Sequence, residues 1–184
     1  MQYFYAKKFY NKKIIYGFFS RKNGYSKKPF NTLNCSINTK DANKNVNKNI
    51  KKVKKKLNLQ ETNLKFINQV HGNVIKYIDN SNLLKPLKAD GMITDNKKIS
   101  LAILTADCAP IFLIDDKNST IGAIHVGWRG SLKEILKKSI IKFKRKLKTN
   151  SKITAIIGPC LDKKNFEVDK KFFNKFIKKN KRYS

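Results

Sequence analysis

A chain of 184 residues, 40% hydrophobic and 29% charged, is one domain in size and can bury a real core, and its apolar residues fall in periodic blocks, which argues against disorder of the whole chain. The formal net charge of +30 points toward polyanions, but guanidinium groups occur only at Arg21, Arg129, Arg145 and Arg182. Lysine instead travels with Asn and Ile throughout, as in "NKNIKKVKKKLN", a compositional drift that reads as a solvated coat rather than a nucleic-acid surface, which favours arginine's planar fork.

In chain order, "KIIYGFFS" (13–20) predicts a strand closing at the turn "RKNG". From Asn45 to Leu59, Val46, Ile50, Val53 and Leu57 recur at helical spacing. Strands are expected at 64–69, 73–78 and 91–95. The centre is the most regular part: "ISLAILT" (99–105), "PIFLID" (110–115) and "TIGAIHV" (120–126) are nearly continuous apolar runs, suited to strands covered on both faces. A helix follows "GWRG", with Ser131 and Glu134 at capping-box spacing and a stripe of Leu132, Ile135, Leu136, Ile140, Phe143 and Leu147. A strand at 153–158 and a helix at 168–179 complete a layered α/β domain, a mixed β-sheet sandwich flanked by helices.

Cys35, Cys108 and Cys160 are odd in number and show no disulfide-like spacing. The opening "MQYFYAKKFYNKK" lacks the apolar stretch of a signal peptide, and no run of eighteen apolar residues exists to cross a membrane. A reducing cytoplasm is the expected compartment, where a cysteine can serve as a metal ligand.

The two histidines, His71 in "NQVHGN" and His125 in "AIHVGWRG", each stand beside a glycine-containing turn, and Cys108 in "TADCAP" sits between two core strands. Two imidazoles and one thiolate form a three-ligand set for zinc with the fourth position open to water or substrate. Other readings stay open. Cys108 and His125 also suit a nucleophile and base, oriented by Asp107 or another carboxylate. "GWRG" with Arg129 and the helix start at Ser131 suits an anion, or is a plain strand-to-helix turn with Trp128 packed on the core. Asp90 in "ADG" is a turn residue that could ligate or orient, and Cys160 in "GPC" reads as a buried small residue.

"NQVHGN", "ADGMIT", "LTADCAPIFLID", "IGAIHVGWRG" and "IIGPCLDKKNFEV" resemble, in order and approximate spacing, the YfiH-like family, also called the laccase-domain or polyphenol-oxidase family. "FFSRKNGYSKKPFNTLN" is similar to that family's opening segment in weaker form, so the resemblance covers residues 15–170. It implies zinc held by His71, Cys108 and His125, which are also the catalytic residues. It further implies phosphorolysis of adenosine, inosine, guanosine or methylthioadenosine, together with adenosine deamination. Phosphate would be held by Arg129 and Ser131, with Arg21 as a second contact. Two histidines cannot build a multicopper laccase centre, although a single copper would fit the same three ligands.

The chain departs from the family pattern at "NG" for "GG" after Arg21, at Lys48 for an arginine, and in ending at "KKNKRYS". The resemblance therefore implies one domain over 1–184 that lacks the family's C-terminal segment. Two further functions compete with this one. The first is a metal-free cysteine hydrolase acting on an amide such as a cell-wall peptide precursor. The second is a basic nucleic-acid-binding module.

Overall fold

In the computed structural model, which describes residues 3–4, 14–117, 120–147 and 151–179, the central apolar runs assemble into one five-stranded sheet. In chain order the elements are β1 (Tyr3–Phe4), β2 (Phe18–Phe19), α1 (Asn43–Lys56), β3 (Asn63–Lys65), β4 (Ile75–Tyr77), β5 (Gly91–Thr94) and β6 (Ile99–Leu101). After them come β7 (Ala109–Asp115), β8 (Ile121–Val126), α2 (Trp128–Leu132), α3 (Ile135–Lys144), β9 (Ile153–Ile157) and α4 (Lys170–Lys179).

The large sheet has the order β4-β5-β8-β7-β9. Only β4 and β5 run parallel; the β5–β8, β8–β7 and β7–β9 pairs are antiparallel. The sheet is thus mixed, and its central strands are covered on both sides. On one side Ile75, Ile93, Ile111, Leu113 and Ile124 pack against Ile135 and Phe143 of α3. On the other, Met92 joins Ile67, Ile78, Ala89 and Ile99, next to the short parallel pair β3–β6. Adjacent residues of β5, Met92 and Ile93, therefore serve opposite cores, which is why its sequence shows no polar alternation. The architecture is the expected layered α/β fold.

Several elements differ from the sequence reading. The strand expected at 13–20 shrinks to Phe18–Phe19 within the described residues, residue 13 lying outside them. Tyr16 and Phe18 act instead as aromatic packing, with Phe18 stacked on Phe112 at 4.8 Å between centroids. The strands expected at 64–69 and 99–105 stop at Lys65 and Leu101.

The capping box does not form. Gly127, extended at φ −84° and ψ 168°, caps a helix that already begins at Trp128, so Ser131 lies inside α2 and its N–H donates to Gly127 O at 2.9 Å. Glu134 takes a left-handed conformation, φ 57°, and breaks the expected single helix in two. Ile135 and Phe143 still reach the core, with Leu136, Ile140 and Leu147 packed beside them, because α3 keeps the helical period of the stripe.

Candidate metal centre

Three chain segments meet at one end of the large sheet. His125 is the penultimate residue of β8 and is buried at 3% exposure, fixed by the ladder to Pro110 of β7. Cys108 immediately precedes β7 and is half-buried, whereas His71 is exposed in the loop before β4. The side chains of these three residues converge: one ligand atom from each lies within 4.8 Å of the others. The two imidazoles stand nearly perpendicular, at 83°, with ring centroids 4.8 Å apart.

Asp90, the residue before β5, organises the group from behind. It is fully buried, and its carboxylate accepts from the N–H groups of Val70 (3.3 Å), His71 (2.9 Å) and Gly72 (2.7 Å). It also accepts from His125 Nδ1 at 2.9 Å, while the His125 N–H donates to the Asp90 carbonyl at 2.7 Å. A carboxylate can only accept, so His125 carries its proton on Nδ1 and Nε2 keeps a free lone pair. The three backbone bonds hold the His71 loop, including the left-handed backbone of His71 at φ 54°. Of the two roles the sequence left open for Asp90, this geometry is the orienting one.

The glycines of "GWRG" allow the close approach. A Cβ on Gly127 would stand 3.1 Å from Cys108 Sγ and 3.2 Å from His71 Cδ2; one on Gly130 would stand 2.8 Å from the Gly72 carbonyl. Gly127→Ala keeps an allowed backbone yet inserts a methyl group among the donors. The variant is expected to fold with a thermal midpoint near that of the parent while binding zinc at least about tenfold more weakly. Parental zinc affinity in an isothermal titration would contradict this.

The donor set fits a metal ion. The 4.8 Å limit exceeds the edges of a tetrahedral zinc site, roughly 3.3–3.6 Å for zinc–nitrogen and zinc–sulfur bonds, by at most about 1.5 Å. Small rotamer adjustments of the exposed His71 cover that difference. Burial, then the charges of Asp107 and Asp90, push the Cys108 thiol above its ordinary range. A bound cation reverses that balance and deprotonates a coordinating thiol.

The remaining residues singled out in the sequence are placed differently. Arg129 is exposed on α2, its guanidinium 4.3 Å from the Trp128 ring centroid. Ser131 is exposed on the same helix, but its N–H is engaged within α2 and is not a free helix-start donor. Arg21 lies in the loop after β2; its carbonyl accepts from Thr32 and Leu33, and among the described residues no hydrogen bond or ion pair joins it to the three donors. Cys160 is exposed rather than buried and lies outside the donor cluster.

Two residues that the sequence does not single out tie loops near these positions together. Gln69 lies inside the quoted "NQVHGN" but carries no periodic or charge signal of its own. Asn49, fully buried in α1, bonds Tyr25 N, Ser26 Oγ and the carbonyls of Thr32 and Asn34, and so shapes the loop bearing Arg21.

Comparison with known proteins agrees with this picture. Residues 15–184 match the family described as multi-copper polyphenol oxidoreductase laccase. The Bacillus subtilis protein YlmD, named a purine nucleoside phosphorylase, is 32% identical over 168 residues, covering 86% of this chain and 60% of that one. A purine nucleoside phosphorylase of Rickettsia conorii is 39% identical over 114 residues, covering 62% of this chain and 46% of that protein. The chain thus spans about half the length of the curated relatives it matches. The crystal structure of Bacillus licheniformis YfiH superposes with a TM-score of 0.77 at 29% identity, covering 86% of this chain and 63% of that one. The Neisseria meningitidis homologue gives 0.75 at 26% identity, covering 88% and 64%. With two histidines, this chain cannot supply the ligands of a multicopper centre, whatever the family's description. A match over residues 15–184, the shared fold and the order of the motifs place the chain in the YfiH-like, laccase-domain family.

Proposed function

We propose that this protein cleaves purine nucleosides with phosphate, at a metal centre held by His71, Cys108 and His125. The observation that carries the reading is the convergence of those three donors in front of a buried carboxylate, in a chain whose named relatives are purine nucleoside phosphorylases. The substrates proposed are adenosine, inosine, guanosine and methylthioadenosine, and zinc is the proposed metal, with copper as its competitor. A reducing compartment such as the cytoplasm would keep Cys108 available as a ligand.

In the proposed reaction a phosphate oxygen bonds to the ribose carbon bearing the base. The carbon–nitrogen bond breaks, and the leaving base takes up a proton. Arg129 holds the phosphate, its guanidinium steadied on the Trp128 indole, and Arg21 is a second contact. Asp90 keeps His125 in one tautomer and holds the His71 backbone, so the His125 imidazole need not reorganise during turnover. A metal ion held there supplies Lewis acidity toward the substrate. Adenosine deamination would use the same site with water as the nucleophile at the purine carbon that bears the amino group: a carbon–oxygen bond forms there, the carbon–nitrogen bond to the amino group breaks, and ammonia leaves.

The cysteine-hydrolase reading fares less well. Its nucleophile needs a lowered thiol pKa, whereas that of Cys108 is raised, and among the described residues no hydrogen bond links Cys108 to either imidazole. The test is metal content measured alongside adenosine turnover. Zinc in a one-to-one ratio, and adenine release that requires phosphate and yields equimolar ribose 1-phosphate, are expected. Equally fast base release without phosphate would remove the phosphorylase reading.

A further inference from the structure

The parallel ladder of β3 and β6 pairs Asn63 with Ile99, Leu64 with Ser100 and Lys65 with Leu101, and closes with Ala102 N–H donating to Lys65 O at 2.9 Å. Beyond it the two chains continue without regular pairing, one toward His71 and the other toward Cys108. The Gln69 side chain bridges them there. Leu104 N–H donates to Gln69 Oε1 at 2.8 Å, and Gln69 Nε2 donates to Leu104 O at 2.8 Å. The side-chain amide thus occupies the place of a peptide group and makes both hydrogen bonds that a paired strand would make.

We propose that Gln69 is a positioning residue that sets the spacing between the His71 imidazole and the Cys108 thiol, and through it the metal affinity of the site. The inference rests on the reading of His71, Cys108 and His125 as metal ligands. Gln69 stands two residues before His71, and Leu104 four before Cys108. Thr105, Ala106 and Asp107 between them are all exposed and give the Cys108 turn no buried anchor of its own. That turn is held by β7 and a bond from Leu161 N–H to Asp107 O at 2.9 Å on one side, and by the Gln69 clamp on the other. The clamp needs a donor and an acceptor on one planar group. Ionised glutamate only accepts, and methionine, of similar volume, does neither.

The experiment compares the full chain with Gln69→Met and Gln69→Glu. It uses zinc titration, the thiolate-to-cobalt charge-transfer band of the Co(II)-loaded protein, and hydrogen exchange at the Leu104 amide. Gln69→Met is expected to weaken zinc binding by about tenfold or more. It is also expected to diminish the cobalt band and to speed Leu104 exchange, with unchanged far-ultraviolet circular dichroism. Gln69→Glu, which keeps the bond from Leu104 N–H, falls between the two. A lowered thermal midpoint with parental zinc affinity and cobalt band would overturn the proposal, because a merely structural glutamine behaves that way. Should Gln69→Met fail to fold, the same readings on Gln69→Glu decide. A parent chain that binds no metal would remove the metal-centre reading itself. Leu104 exchange would then judge the clamp alone, and equal rates in parent and variant would refute it.

Discussion

Asp90→Ala is expected to lower the thermal midpoint by roughly 6–12 °C and to weaken zinc binding by about ten- to a hundredfold. The carboxylate accepts four N–H groups, from Val70, His71, Gly72 and the His125 ring, at a fully buried position. Removing a shared acceptor leaves buried donors unpaired, each at about 1–3 kcal/mol. Because Val70 and His71 are exposed enough for water to replace part of the loss, the total comes to about 2–4 kcal/mol. For a chain of this length that converts to the stated shift at about 3 °C per kcal/mol. The metal loses affinity because His125 is no longer held in the tautomer that offers Nε2, and the His71 loop loses its anchor. Asp90→Asn should do nearly as badly: its amide nitrogen would face N–H groups, donor against donor. A titration and melting curve matching the parent in both variants would show that the carboxylate is only a filler.

Cys108→Ser should abolish detectable phosphorolysis while leaving the fold intact. Zinc affinities of the order of 10–16 kcal/mol are shared over three or four ligands, so one thiolate carries roughly 3 kcal/mol, or about a hundredfold. A serine hydroxyl does not ionise near neutral pH and cannot replace it. The thiol is half-buried and makes no hydrogen bond among the described residues, so its loss removes little folding energy. Zinc content after dialysis, adenine release with phosphate, and the melting curve together check this. Retained metal with full turnover would count against both the metal centre and a cysteine nucleophile.

The strands 110–115 and 120–126 were legible because both faces of each are buried, which writes a continuous apolar run into the sequence; the structure moves their ends by one residue. The run at 99–105 looked equally strong, yet only Ile99–Leu101 pairs as strand: the ladder closes at the Ala102 N–H, and Leu104 is tied through the Gln69 side chain and not through a paired strand. Hydrophobic pattern records burial, not hydrogen-bond partner, so it cannot separate these cases. Ser131 and Glu134 had the right spacing for a capping box. The helix nevertheless begins at Trp128, because extended Gly127 lets the chain turn directly out of β8, a choice made by packing against the His71 loop.

The chain's own residues settled the donor types, the family and the apolar stripes, because residue chemistry and periodicity are local properties. That His71, Cys108 and His125 share one centre, that Asp90 stands behind them as the common acceptor, and that Gln69 ties two of their segments together were decided only by tertiary structure. Those contacts join residues 17 to 54 positions apart. Such separations are closed by sheet pairing and core burial, and leave no mark on the spacing of residues along the chain.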